Sequence, residues 1–290
     1  MGSAACLGCH PTLYDPFFRN AHYQNHQLER FTTAPSRAGK AAEERLGCEG
    51  CHGPGQAHIE SGGDKSRIIT FAALSPRQTL DRCLICHAKS FARSNIRRSP
   101  HTTGDVACTS CHSIHQSRTP KLLLVESQPE LCYRCHLNVR AQFALPFKHR
   151  VNEGFMQCTD CHNPHGTFAP TWRMAARPAL VDQSLMNEEA CLKCHVNYRG
   201  PFAFEHAALR VDGCESCHVP HGSAHARLMK RPQVFTLCLE RHHGAGTFER
   251  DGDGVTQPGL AHNMTDPRYQ QCTACHTRIH GSNADARFLR

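Results

Sequence analysis

"CTDCHNPHG", residues 158–166, packs two cysteines and two histidines into nine positions. Cys158, Cys161 and His162 form one Cys-x-x-Cys-His group, and His165 follows three residues later. Two histidines this close in sequence cannot grip one octahedral iron across a planar macrocycle, because axial ligands must approach from opposite faces of the plane. His165 is therefore expected to serve a different centre from His162.

The group recurs along the whole chain. Eighteen of the nineteen cysteines fall into nine copies. They are Cys6/Cys9/His10, Cys48/Cys51/His52, Cys83/Cys86/His87, Cys108/Cys111/His112, Cys132/Cys135/His136, Cys158/Cys161/His162, Cys191/Cys194/His195, Cys214/Cys217/His218 and Cys272/Cys275/His276. At this composition chance supplies on the order of a tenth of one such match. The pattern is that of c-type haem attachment: two thiols add to the two haem vinyl groups, and the adjacent imidazole is held under the iron as proximal ligand. Zinc ribbons pair cysteines too, but they do not require a histidine after every pair. A disulfide framework ignores the histidines, and iron–sulfur clusters want four thiolates each.

The motifs themselves repeat in twos. Each unit reads as a first motif, an isolated histidine, a second motif and a further histidine just beyond it. In order the units run Cys6–His22–Cys48–His58, Cys83–His101–Cys108–His115, Cys132–His149–Cys158–His165, Cys191–His206–Cys214–His221 and Cys238–His262–Cys272–His280. Five such units imply ten haem sites.

The nineteenth cysteine marks the break in the pattern. "CLERH", 238–242, carries Arg241 where a second cysteine belongs, while Cys238 and His242 stay in register. Either the site is lost, leaving a stray buried cysteine, or a tenth haem hangs from a single thioether. The ligand count favours the haem. With His242 among the ten proximal histidines, thirteen others remain. Bis-histidine ligation of ten irons needs ten distal partners, and the repeat nominates His22, His58, His101, His115, His149, His165, His206, His221, His262 and His280. His26, His225 and His243 are left over as surface or propionate-contacting residues.

Saturated axial positions argue against catalysis, since catalytic haems keep an open coordination site or a distinctive ligand. No Cys-x-x-Cys-Lys is present, and the six methionines stand in no relation to the motifs. No catalytic residue is nominated. The rival enzymatic expectation places an open haem at the degenerate Cys238 site.

Composition sets the scaffold. Of 290 residues only 39% are hydrophobic, and mean hydropathy is −0.50. Gly, Pro, Ser and Asn interrupt nearly every segment before a three-turn amphipathic helix can form. Residues 53–66, "GPGQAHIESGGDKS", and 251–259, "DGDGVTQPG", read as loops. Short helical turns are expected around the cysteines and around "SFARSNIRR", with little support for strands, so the fold class is a multihaem cytochrome of short α-helices and coil around a chain of haems. With no aliphatic core to gather it into a ball, an elongated rod is expected. "DGDG", 251–254, lacks the spacing of a calcium loop and no calcium is expected. No apolar run approaches the roughly 20 residues of a membrane-spanning helix. The formal charge of +8 would suit nucleic acid, but haem propionates reverse that balance, so the arginines and lysines read as propionate partners and no nucleic-acid partner is expected.

"CEGCHGPGQAHIESGGDK" (48–65), "CTDCHNPHG" (158–166), "GPFAFEHAALRVDGCESCHVPHGS" (200–223) and "CHTRIHGSN" (275–283) together resemble the periplasmic decahaem cytochromes of the Mtr type, the MtrA/PioA/DmsE-like family, over nearly the whole chain. The resemblance implies two pentahaem halves, 1–136 and 137–290, joined in a rod without independent cores. It implies a periplasmic, outer-membrane-associated wire inserted into a β-barrel porin, exchanging electrons with an outer-surface multihaem cytochrome and a periplasmic or inner-membrane cytochrome. A free periplasmic shuttle differs only in partners. Arg241 departs from the family pattern. The start "MGSAACLGCH" carries no signal peptide and is expected to follow a removed leader.

Overall fold

The computed structural model describes residues 1–19, 47–88, 93, 95–117, 119, 121–166, 190–242 and 266–289. His22, His26, His243, His262, Trp172 and 251–254 lie outside them. The helices are α1 (Pro11–Arg19), α2 (Cys48–His52), α3 (Gln56–Glu60), α4 (Pro76–His87), α5 (Pro100–Thr103), α6 (Gln128–Tyr133), α7 (Leu137–Gln142), α8 (Cys158–Cys161), α9 (Ala207–Asp212), α10 (Val234–His242) and α11 (Cys272–Cys275). Single 3-10 turns join them. The strands β1 (Phe147–Lys148) and β2 (Gly222–Ser223) pair antiparallel, Phe147 opposite Ser223.

Two compact units result. One comprises Met1–Arg134 and Cys158–Met186, the other Cys135–Gln157 and Asn187–Arg290. In the first, the buried apolar side chains are Phe17, Leu80, Leu84, Leu131 and Tyr133; in the second, Phe143, Val151, Ala190 and Leu237. Each set is small beside the roughly 1–2 kcal/mol per residue that ordering a backbone costs. Among the described residues, aliphatic packing alone is a thin source of stability, and Ile85 and Phe155 remain 68% and 74% exposed.

Two sequence expectations are corrected. α4 runs twelve residues, the three turns not expected from periodicity. Its start is over-determined: Gln78 N donates to Ser75 Oγ at 3.2 Å, Ser75 N donates to Gln78 Oε1 at 2.8 Å, and Pro76 fills the first turn. Thr79, Leu80 and Leu84 then form its buried stripe. The second correction falls in 53–66, where α3 replaces part of the expected loop. Gln56 Nε2 donates to Glu60 Oε1 at 2.8 Å across one turn. Gly62 and Gly63, at φ +72° and +100°, end the helix, and Gly63 N donates to the His58 carbonyl at 2.9 Å.

Candidate haem centres

An imidazole nitrogen binds a first-row metal at about 2.0 Å, so two rings gripping one ion from opposite sides have centroids about 6.2 Å apart. Six histidine pairs meet that distance. In the first unit His10 faces His58 at 6.4 Å, His52 faces His115 at 5.9 Å and His112 faces His165 at 6.1 Å. In the second, His149 and His195 lie 6.2 Å apart, His206 and His242 6.3 Å, and His218 and His280 6.3 Å. Five pairs are within 17° of parallel, while His149 and His195 are inclined at 66°. Every pair joins one motif histidine to one isolated histidine.

The pairs follow a register. His52, His112 and His218, from second motifs, face the last histidine of the next repeat. His195 and His242, from first motifs, face the isolated histidine of the preceding repeat, and His10 closes on His58 within its own. His165 thus faces the histidine of the Cys108/Cys111 motif, and not its neighbour His162.

Hydrogen bonds set the rings. Nδ1–H of His52 donates to the Ile69 carbonyl at 2.7 Å, that of His112 to Lys121 at 2.9 Å, that of His218 to Arg227 at 2.9 Å and that of His276 to Arg287 at 2.6 Å. The isolated histidines do likewise: His58 to Asp64 (2.9 Å), His101 to Pro164 (2.9 Å), His149 to Pro220 (2.6 Å), and His221 to Gln142 Oε1 (2.9 Å). Donation from Nδ1 leaves the Nε2 lone pair for a metal and raises its basicity. Burial, with His112, Arg93 and His101 nearby, lowers His165 to about 4, so its ring is neutral at neutral pH. Burial also lowers His206, next to His242 and Arg241, and His280, next to His218. His87 differs: Arg93 Nη2 meets its Nδ1 at 3.1 Å. His136 caps α7, His162 N bonds the Cys158 carbonyl at 2.8 Å, and His225 caps the 226–228 turn.

Within each compact unit cysteines of different motifs meet, and all nineteen are free of disulfides. In the first, second, third and fifth repeats the first cysteine of one motif touches the first cysteine of the other. Burial, then the Cys48 thiol beside it, pushes Cys6 up to about 11. The hydrogen bond to Cys108 raises Cys83, and that to Cys158 raises Cys132. Cys238 is pushed up to about 12 by burial and then by Cys272. Between repeats, Cys51 lies near Cys86 and Cys217 near Cys238. Groups tethered at these sulfurs would be neighbours along the chain.

The two thiols of a motif are equally half-buried in the Cys48/Cys51, Cys108/Cys111, Cys158/Cys161 and Cys214/Cys217 motifs and unequal in the other five. The first cysteine is half-buried throughout, whereas Cys9, Cys86, Cys135, Cys194 and Cys275 are exposed. Cys9 and Cys194 each close a tight turn, the N–H donating to the Cys6 or the Cys191 carbonyl at 3.3 Å, and Cys111 and Cys217 close the same turn while staying half-buried. The turn alone therefore does not set the exposure of the second thiol; the Cys6 thiol lies against Cys48. Cys9 and Cys194 are thus open to a haem vinyl group but are not packed against a second motif as Cys6 is.

The donor chemistry fits haem. Among the described residues no group of three or more His, Cys, Asp or Glu converges as a zinc site would require. What converges is two imidazoles, which is what a macrocycle supplying four equatorial nitrogens leaves to the protein. Arg82 and Arg93 are half-buried, with the Nε atom of each buried and unpaired among the described residues, beside Cys51 and His87 respectively. Such guanidinium groups suit haem propionates.

Sequence reading missed the acceptors. After second motifs the chain folds back, so that Ser113 N donates to the Leu122 carbonyl at 2.7 Å, Val219 N to Leu228 at 2.7 Å and Arg278 N to Phe288 at 2.9 Å. Leu122, Arg227, Leu228 and Phe288 take φ between +56° and +61°, rare for residues with a Cβ. A faint signal was available: Lys121-Leu-Leu123, Arg227-Leu-Met229 and Arg287-Phe-Leu289 recur after the second motifs. Glycines after isolated histidines were also overlooked. A Cβ on Gly166 would lie 2.9 Å from the Asn95 carbonyl oxygen, and one on Gly222 would collide with the Gln142 carbonyl.

A family model described as a doubled CXXCH motif matches residues 99–141 and 206–246, and one for cytochrome c554 and c-prime matches 59–113. The chain is 31% identical to the multiheme cytochrome MtrA of Shewanella baltica (strain OS185), over 97% of this chain and 79% of that protein.

Proposed function

This chain belongs to the MtrA-type multihaem cytochromes and is an electron carrier that binds haem c, and we propose that it conducts electrons along ten bis-histidine haems across the outer membrane, inside a β-barrel porin. Each bound haem supplies a reversible one-electron change at iron. The protein's part is to hold ten such groups in series, keep both axial positions filled, and shield them from substrates. The observation that supports the reading is the set of six facing imidazole pairs, with cysteine contacts between neighbouring motifs inside each unit. Filled axial positions favour transfer over catalysis, and His206 opposite His242 argues against an open haem at Cys238.

The proposed setting is periplasmic, with halves 1–136 and 137–290 each carrying five haems, the remaining distal ligands being His22, His101, His221 and His262. The partners would be a porin, an outer-surface multihaem cytochrome and a periplasmic or inner-membrane cytochrome. No described helix is long and apolar enough to cross a membrane. The test places the haem-loaded protein with an MtrA-type barrel in liposomes enclosing an electron acceptor. An external donor should reduce that acceptor only when both proteins are present. Fast reduction in solution without transfer across the bilayer would overturn the conduit and leave a free shuttle. Small-angle scattering of the loaded protein tests the expected rod.

A further inference from the structure

Cys238, Arg241 and His242 lie on α10, with Leu237 buried beneath. Three features of intact sites survive around them. His242 faces His206 at 6.3 Å and 11°, the most nearly parallel of the six pairs. The Cys238 thiol contacts Cys272, as Cys6 contacts Cys48 and Cys83 contacts Cys108. Cys217 of the preceding motif lies near it, as Cys51 lies near Cys86. A vestigial cysteine would have no reason to keep both contacts, nor His206 to keep its partner.

Arg241 is accommodated. Three residues after Cys238 it shares that helix face, where a guanidinium would obstruct a porphyrin edge. Its Nη1 instead donates to Asp212 Oδ2 at 3.2 Å. Asp212 ends α9, the helix whose N-cap is His206. The residue that displaced the thioether is thus drawn aside to the far end of the helix that carries the distal imidazole.

We propose that Cys238, His242 and His206 bind a tenth haem through a single thioether, leaving the second vinyl group intact. The Cys238 S–H adds across one vinyl double bond, sulfur to the inner carbon and hydrogen to the terminal carbon. Nothing leaves and no oxidant or reductant is consumed. The intact vinyl withdraws electron density and so disfavours the ferric state; this haem sits at higher potential than it would with two thioethers.

The inference rests on the bis-histidine reading above, and one set of measurements separates their failures. Denatured wild-type protein should carry ten covalent haems by intact mass, with a pyridine haemochrome component at longer wavelength than that of two-thioether haem. Cys238→Ala should carry nine. Arg241→Cys should keep ten, now with a uniform haemochrome, and lower the potential of one centre. Nine haems in the wild type, or ten in Cys238→Ala, would overturn the proposal while the wire stands. No covalent haem would overturn both.

Discussion

The His112–His165 pair and the His206–His242 pair belong to different compact units, yet their rings sit 6.1 and 6.3 Å apart and 17° and 11° from parallel. They reach that geometry by different means. His112 ends a short 3-10 turn at Cys108–Ser110, its Nδ1 fixed by the Lys121 carbonyl, and His165 rides on a tight Asn-Pro-His-Gly turn. His242 ends the nine-residue α10, and among the described residues neither Nδ1 anchor nor second cysteine holds it. The facing rings are common to both sites, and the supports around them are not.

That contrast is most easily broken at the distal ring. His165→Ala should convert one low-spin centre to high-spin, at the haem tethered by Cys108 and Cys111, and give one new carbon monoxide site with all thioethers intact. His206→Ala should do the same at the Cys238 site and lower Tm further, because His242 has fewer supports. Electron paramagnetic resonance and thermal melts of both variants decide it. Every haem staying low-spin in either variant would refute the pairing at that site.

A smaller effect is expected where a backbone, and not a ligand, is disturbed. Gly222 follows His221 and lies against the Gln142 carbonyl, while the Gln142 side chain accepts from His221 Nδ1. Gly222→Ala must push α7 away and should cost about 1–3 kcal/mol, the usual range for overpacking. Gly281→Ala meets the Phe202 ring and also places a Cβ on a backbone at φ +143°, so it should cost at least as much. Denaturant midpoints of the two variants check both; no loss in Gly222→Ala would mean the Gln142 contact is dispensable.

How much of this was legible in the sequence follows from how each feature is encoded. Haem c binding was, because two thioethers and a proximal ligand require Cys, Cys and His side by side. The unequal exposure of Cys6 and Cys9 was not, since they are the same residue type and differ only in what packs around them. The separation of His162 from His165 was legible, because adjacency excludes a shared iron. The partner of each isolated histidine was not, because it depends on contacts such as His52 with His115, 63 positions on. The acceptors for Nδ1 were hidden for another reason: a backbone carbonyl at Ile69 or Arg227 leaves no mark of residue type. α3 escaped notice because two glycines, which usually read as loop, here terminate a helix.

The finest distinction lies between two second-type sites that look alike, "CHNPHG" at 161–166 and "CHVPHG" at 217–222. In the first, Asn163 braces the turn: its Oδ1 accepts from His165 N at 3.0 Å and its Nδ2 donates to the Gly166 carbonyl at 2.9 Å. In the second, Val219 can do neither, and its backbone N–H goes instead to the Leu228 carbonyl at 2.7 Å, while Gln142 steadies His221. Asn163→Val should therefore cost about 1–2 kcal/mol, since two half-buried hydrogen bonds at about 0.5–1.5 kcal/mol each are partly recovered by water. His165 would still reach His112, because Gly166 remains wedged against Asn95 and Ser99. The spectrum should stay low-spin while the melting temperature falls. A high-spin fraction in Asn163→Val would show that the asparagine turn itself sets the axial ligand, and the two look-alike sites would then differ in kind as well as in bracing.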